Sequence, residues 1–134
     1  MGTWSAEPIG NDAAADFVAE LDGERRWTVV KAAFSTAAKL GDTLDSDTAA
    51  TAIAAAEVVA HGLGRPTQTD AYTESIKRIV GRARRPSRRL ADRAIQAVHD
   101  AARPDGELAE LWAETESSDW QDSLRRLLAA LEER

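Results

Sequence analysis

The chain reads as an all-α single domain, a bundle or array of about six to seven helices around an Ala-rich buried helix at about 47–61. Three observations predict this. Apolar residues recur at the 3.6-residue helical period, and no convincing strand alternation appears. Cap residues, glycines and prolines punctuate the chain at helix-length intervals. Ala49 to Ala60 is apolar all round except for Thr51 and Glu57, and a helix without a polar face is enclosed by others.

Each element has its own signals. Asn11 is placed to cap a first helix through Asp22, with Gly23 as its left-handed stop. Ala14, Phe17, Val18 and Leu21 form its apolar face. A second helix, about Glu24 to Leu40, carries Trp27, Val30, Phe34, Ala37 and Ala38, and Gly41 fits its C′ position. Ser46 or Asp47 opens the Ala-rich helix, which Gly62, Gly64 and Pro66 end. A fourth, about Asp70 to Arg84, presents Tyr72, Ile76, Ile79, Val80 and Ala83. After Pro86, Ser87 caps a fifth, lined by Leu90, Ala94, Ala97, Val98 and Ala101. Pro104-Asp105-Gly106 turns into a short sixth with Leu108, Leu111 and Trp112. Ser118-Asp-Trp-Gln121 has capping-box spacing and starts a last helix with Trp120, Leu124, Leu127, Leu128 and Leu131.

With 134 residues, 43% of them hydrophobic and 30% charged, one globular domain over 1–134 is expected. Residues 1–11 are expected to pack on the bundle, because a loose tail gains nothing from burying Trp4 and Ile9. No apolar run approaches the roughly 18–20 residues that cross a bilayer, and the start lacks a secretory pattern. Met1-Gly2 is followed by Ala6 where a myristoylation motif wants Ser or Thr. The absence of cysteine removes disulfides, thiolate metal sites and cysteine nucleophiles together. A cytoplasmic protein is expected, and arginine far in excess of lysine suggests a GC-rich bacterial source.

Charge is unevenly spread. Net charge is −6, yet Lys77 to Arg93 holds eight basic residues and only Asp92 as an acid. That segment is +7, leaving −13 for the remainder. Asp105 to Asp122 holds seven acids and no lysine or arginine.

Glu57 and His61 are the one pair with the look of chemistry. They lie i, i+4 on one helix face, and burial beside an imidazole is how acid/base pairs are tuned. The competing reading is structural: Glu57 buried and hydrogen-bonded, His61 at its helix's C-terminus, where positive charge is favoured. His61 and His99 are the only histidines, so no tetrahedral N/S metal site can be built. No calcium loop, Walker A, Gly-x-Gly-x-x-Gly or Gly-x-Ser-x-Gly is present. No cofactor or metal is therefore expected. Arg82, Arg84, Arg85, Arg88 and Arg89 form a candidate partner or anion surface, since arginines neutralise phosphates and release counterions. The plainer reading is a solvated face paired with the acidic 105–122 segment, in one chain or between two. A sequence pI of about 4.9 and no interleaved aromatics weigh against nucleic acid. Of the tryptophans, Trp27 and Trp120 are expected in the core. Trp4 and Trp112 are the candidate partner aromatics.

Three stretches resemble the bacterial domain-of-unknown-function family 4259. Met1-Gly-Thr-Trp4 with Glu7-Pro-Ile-Gly-Asn-Asp12 is similar to its Gly-x-Trp-Gly and Pro-Phe-Asp-Asn-Asp pattern. Ala52 to Pro66 is similar to its Ala-rich helix and Gly-Arg-Pro exit, and Ala94 to Trp112 with Trp120 to its Glu-Leu-x-Glu-Leu-Trp segment. Ser5, Ile9 and Gly10 depart from the family's glycine, phenylalanine and acid. The resemblance implies a helical fold and no assigned activity. The residues point first to a non-catalytic helical module acting through protein partners or self-association. A small-molecule or enzymatic pocket at Glu57 and His61 is the alternative, and nucleic-acid or anion binding by the basic 77–93 segment a third.

Overall fold

The computed structural model describes residues 5–133. Seven α-helices carry the described chain: α1 (Asp12–Glu20), α2 (Thr28–Leu40), α3 (Ser46–Gly62), α4 (Glu74–Arg82), α5 (Arg88–Ala101), α6 (Glu107–Ala113) and α7 (Asp119–Glu132). Short 3-10 turns precede α3 and α4, at Gly41–Thr43 and Ala71–Thr73. There is no strand among the described residues. The fold is a single all-α domain.

The centre is α3, against which α1, α2, α4, α5, α6 and α7 all pack, α5 most extensively. From Ala49 to Ala60 only Thr51 is not buried. Alanine makes this possible, because a helix clad in methyl groups lets neighbours approach closely on every side. Larger side chains of the surrounding helices fill the rest: Phe17, Phe34, Ile76, Ile79, Leu90, Leu127 and Leu131 are all buried.

Several starts and stops follow the sequence signals. Asn11 Oδ1 accepts from Ala14 N at 3.0 Å, and Ser87 Oγ accepts from Leu90 N at 3.1 Å. Gly23 and Gly41 take the left-handed conformation, at φ 93° and 54°. The third helix opens at Ser46, as expected, behind Asp45 as its cap, whose carboxylate takes Thr48 N and Thr48 Oγ1. Other expectations are corrected. The second helix starts at Thr28 rather than Glu24, with Trp27 as its non-helical first flank; Trp27 Nε1 donates to the Arg84 carbonyl at 2.8 Å. The fourth begins as a 3-10 turn closed by an Asp70–Thr73 capping box. The tighter winding swings Tyr72 out to 67% exposure and buries Thr73 in its place. Leu111 leaves the apolar stripe of α6, whose inward residue is Leu108. The capping box at Ser118 does not form. That residue is not extended, at φ −90° and ψ 3°, and Asp119 N is held instead by Ser117 Oγ.

Trp27 and Trp120 are buried, whereas Trp112 is half-buried and stacks on Trp120 with ring centroids 6.1 Å apart. Trp4 lies outside the described residues.

Candidate functional site

Glu57 sits in the fourth turn of α3 and is 0% exposed. What surrounds it follows from how α3 ends. Gly64, at φ 78°, occupies the C′ position. The Gly64 amide reaches the His61 carbonyl, and the Arg65 amide reaches Ala60 at 2.9 Å. These are the two bonds of a Schellman reversal. The chain then doubles back along α3, and Pro66 stiffens the return. The next amides meet the carboxylate. Glu57 Oε2 accepts from Thr67 N and Gln68 N, both at 2.9 Å, and Oε1 accepts from Thr67 Oγ1 at 2.6 Å.

His61 closes the ring. Its Nε2 lies 3.0 Å from Glu57 Oε2 and 2.9 Å from the Gln68 carbonyl. Both neighbours are acceptors, so Nε2 is the nitrogen that carries a proton. His61 thus serves the loop, beyond any role at its helix terminus. Gln68, itself 5% exposed, carries the network outward. Its Oε1 accepts from Ile9 N at 2.7 Å, and its Nε2 donates to Ile9 O at 3.0 Å and to Asp70 Oδ2 at 2.9 Å. The side-chain amide pairs with one residue's backbone as a neighbouring strand would. Pro8 and Ile9 are buried.

Thr67 and Gln68 were not singled out from the sequence. A signal existed: a carboxylate enclosed in apolar surroundings needs donors, and the nearest polar residues follow the Gly64 turn.

The second candidate is the turn between α4 and α5. Pro86 is buried against the end of α3; a Cβ on Gly62 would fall 2.8 Å from Pro86 Cγ and 2.9 Å from Trp27 Cη2. That contact and the Trp27–Arg84 bond hold the turn in place. Around it the arginines divide. Arg78 pairs with Asp22 at 3.0 Å and Arg88 with Asp92 at 3.2 Å. Arg93 donates to Ser35 Oγ at 2.8 Å. Arg82, Arg84, Arg85 and Arg89 are exposed and have no ionic partner among the described residues. A groove of about 530 Å³ opens here, lined by Leu63, Pro86 and Ala91 with Arg65, Arg85, Arg88, Asp92 and Glu133.

Of the pairing expected for this basic segment with residues 105–122, within one chain or between two, no ion pair within the chain occurs among the described residues. The turn abuts Gly62, the last residue of α3, whereas Glu107 accepts from Ser46 N, its first, at 3.1 Å. Seventeen residues of α3 separate them, about 24 Å along the axis. Of the acids, Asp105 pairs with Arg103 and Asp122 with Arg125. Glu110, Glu114, Glu116 and Asp119 are exposed without an ionic partner among the described residues.

No group of three or more His, Asp or Glu side chains suited to a metal occurs among the described residues. None of the described helices is long and apolar enough to cross a membrane. Among the described residues the molecule is thus an all-α domain with a buried polar network at Glu57 and an exposed arginine surface without ionic partners. By sequence it belongs to the family described as Domain of unknown function (DUF4259), whose model matches residues 2–123. No curated protein and no solved structure matches the chain.

Proposed function

We propose that this protein is a non-catalytic, cytoplasmic helical interaction module. Its working surface is the α4–α5 turn, and the partner it takes is an acidic protein surface. One observation carries the reading. Arg82, Arg84, Arg85 and Arg89 stand exposed and unpaired on a turn fixed by Pro86 and Trp27. Fixed, solvated arginines lose little on meeting carboxylates, and their planar forks give bidentate geometry. Nucleic acid is disfavoured because the chain outside 77–93 carries −13, which repels a long polyanion.

An enzymatic reading of Glu57 and His61 meets a physical obstacle. A general base needs its lone pairs within reach of a substrate proton. Here both carboxylate oxygens are occupied by Thr67, Gln68 and His61, with no exposed surface.

The test is fluorescence anisotropy with labelled polyglutamate and with duplex DNA at about 50 and 300 mM salt, alongside Arg84→Glu/Arg85→Glu. Expected is salt-sensitive binding of polyglutamate that falls at least tenfold in the variant. Preference for the duplex would favour the nucleic-acid reading. Turnover in a hydrolase or transferase screen that is lost in Glu57→Gln would end the non-catalytic one.

A further inference from the structure

We infer that the acidic surface fitting the arginine turn is carried by a second copy of this chain, so that the protein associates head to tail. The inference rests on the arginine-surface reading above and names its partner. Segment 77–93 is +7 and segment 105–122 is −7, and they occupy opposite ends of α3. At a Debye length near 8 Å they are screened from one another inside one molecule. Two molecules laid end to end bring them together.

The surfaces also match in polarity, and the groove has room for a leucine. Leu111 is 40% exposed, one of two large exposed hydrophobics among the described residues. It projects from α6 beside Glu114, its i+3 neighbour, while Glu110 stands on the adjoining face, i, i+4 to Glu114 and about 5–6 Å from it. The groove at the other end has an apolar floor of Leu63, Pro86 and Ala91, flanked by Arg65, Arg85 and Arg88 and by the acids Asp92, which pairs with Arg88, and Glu133. Its volume of about 530 Å³ exceeds that of a leucine side chain several-fold. Leu111 of one copy seats on that floor, and Glu110 and Glu114 meet Arg85, Arg84 and Arg89 at the rim. Rim charges set register and encounter rate, and the apolar contact supplies the burial. Because the two patches differ, each copy keeps a free end, and growth continues into a ring or an open filament.

Sedimentation velocity on the full chain at up to about 200 μM, in about 50 and 500 mM salt, decides it. Expected is a mass that climbs with concentration beyond the 14.5 kDa monomer and beyond a dimer in low salt, and returns to monomer in high salt. Arg84→Glu/Arg85→Glu and Glu110→Arg/Glu114→Arg should each be monomeric, and Leu111→Ser should weaken association at least tenfold. Mixing the two charge-reversed variants should restore a complex, since each keeps one native end. Circular dichroism checks that each variant is folded. A wild-type chain that stays monomeric in low salt overturns self-association. So does association insensitive to these variants, or an equimolar mixture that stays monomeric. Retained polyglutamate binding by a monomeric wild type would sink this inference alone and leave the arginine-surface reading standing.

Discussion

Glu57 and the arginines of the α4–α5 turn both lie toward the C-terminal end of α3, and both look like chemistry in the sequence. Their surroundings are opposite. Glu57 receives three hydrogen bonds from the adjoining loop and one contact from His61. Arg82, Arg84, Arg85 and Arg89 have no ionic partner among the described residues. A buried polar group persists only when its neighbours satisfy it, and Glu57 ties the exit loop to α3 through those bonds. An exposed charge is satisfied by water and is free to exchange that water for a partner. The contrast teaches that isolation in sequence is no guide to availability.

The sharpest way to break this contrast is Glu57→Ala. It leaves the Thr67 and Gln68 amides without their acceptor and His61 with the Gln68 carbonyl alone, and removing one partner of a buried pair costs about 3–5 kcal/mol. Urea denaturation should show that loss against a total of about 5–15 kcal/mol. An unchanged midpoint would mean the network is not structural. Next comes the link from Gln68 to the N-terminal segment. Gln68→Ala should cost about 1–3 kcal/mol by orphaning the buried Ile9 backbone groups. Hydrogen exchange at the Ile9 amide should accelerate with it. Deleting residues 1–10, which removes Pro8 and Ile9 as well, should lower the melting temperature further; equal melting of truncated and full chains would refute a packed segment.

Asp45 supplies a smaller, pH-dependent effect. Its hydrogen bond from Thr48 Oγ1 holds its carboxyl below the ordinary value. A folded-state value below the unfolded one adds stability above the unfolded value and loses it as pH falls through the folded one. Asp45→Asn keeps a capping side chain without that titration. Wild type should therefore lose an advantage of at most about 1 kcal/mol on acidification, in thermal melts from neutral pH to about pH 2, and solvent screening at this exposed site reduces it further. The smallest effect is expected at the arginines. Arg84→Glu/Arg85→Glu should shift stability by no more than about 0.5 kcal/mol, while weakening polyglutamate binding at least tenfold. A large loss of stability would place these side chains in the fold and not on a working surface.

Much of this was legible in the residues. Periodicity and caps define the helices because both are local: Asn11 and Ser87 need only the amides three residues on. The all-apolar run from Ala52 to Ala56 defines the centre because no other placement removes it from water. The sequence also marked Glu57, His61 and the arginine cluster as unusual. Other features depended on residues far apart in the chain. Trp27 is tied to Arg84, 57 positions away, and Gln68 reaches Ile9 across 59. Local rules cannot weigh such contacts, since their free energy exists only once the chain has closed the loop between them. For the same reason the sequence by itself determined which groups carry charge, while only the tertiary structure decided their surroundings. Folding α3's exit back on itself put donors around Glu57, and the length of α3 kept the arginines and the acidic helix apart.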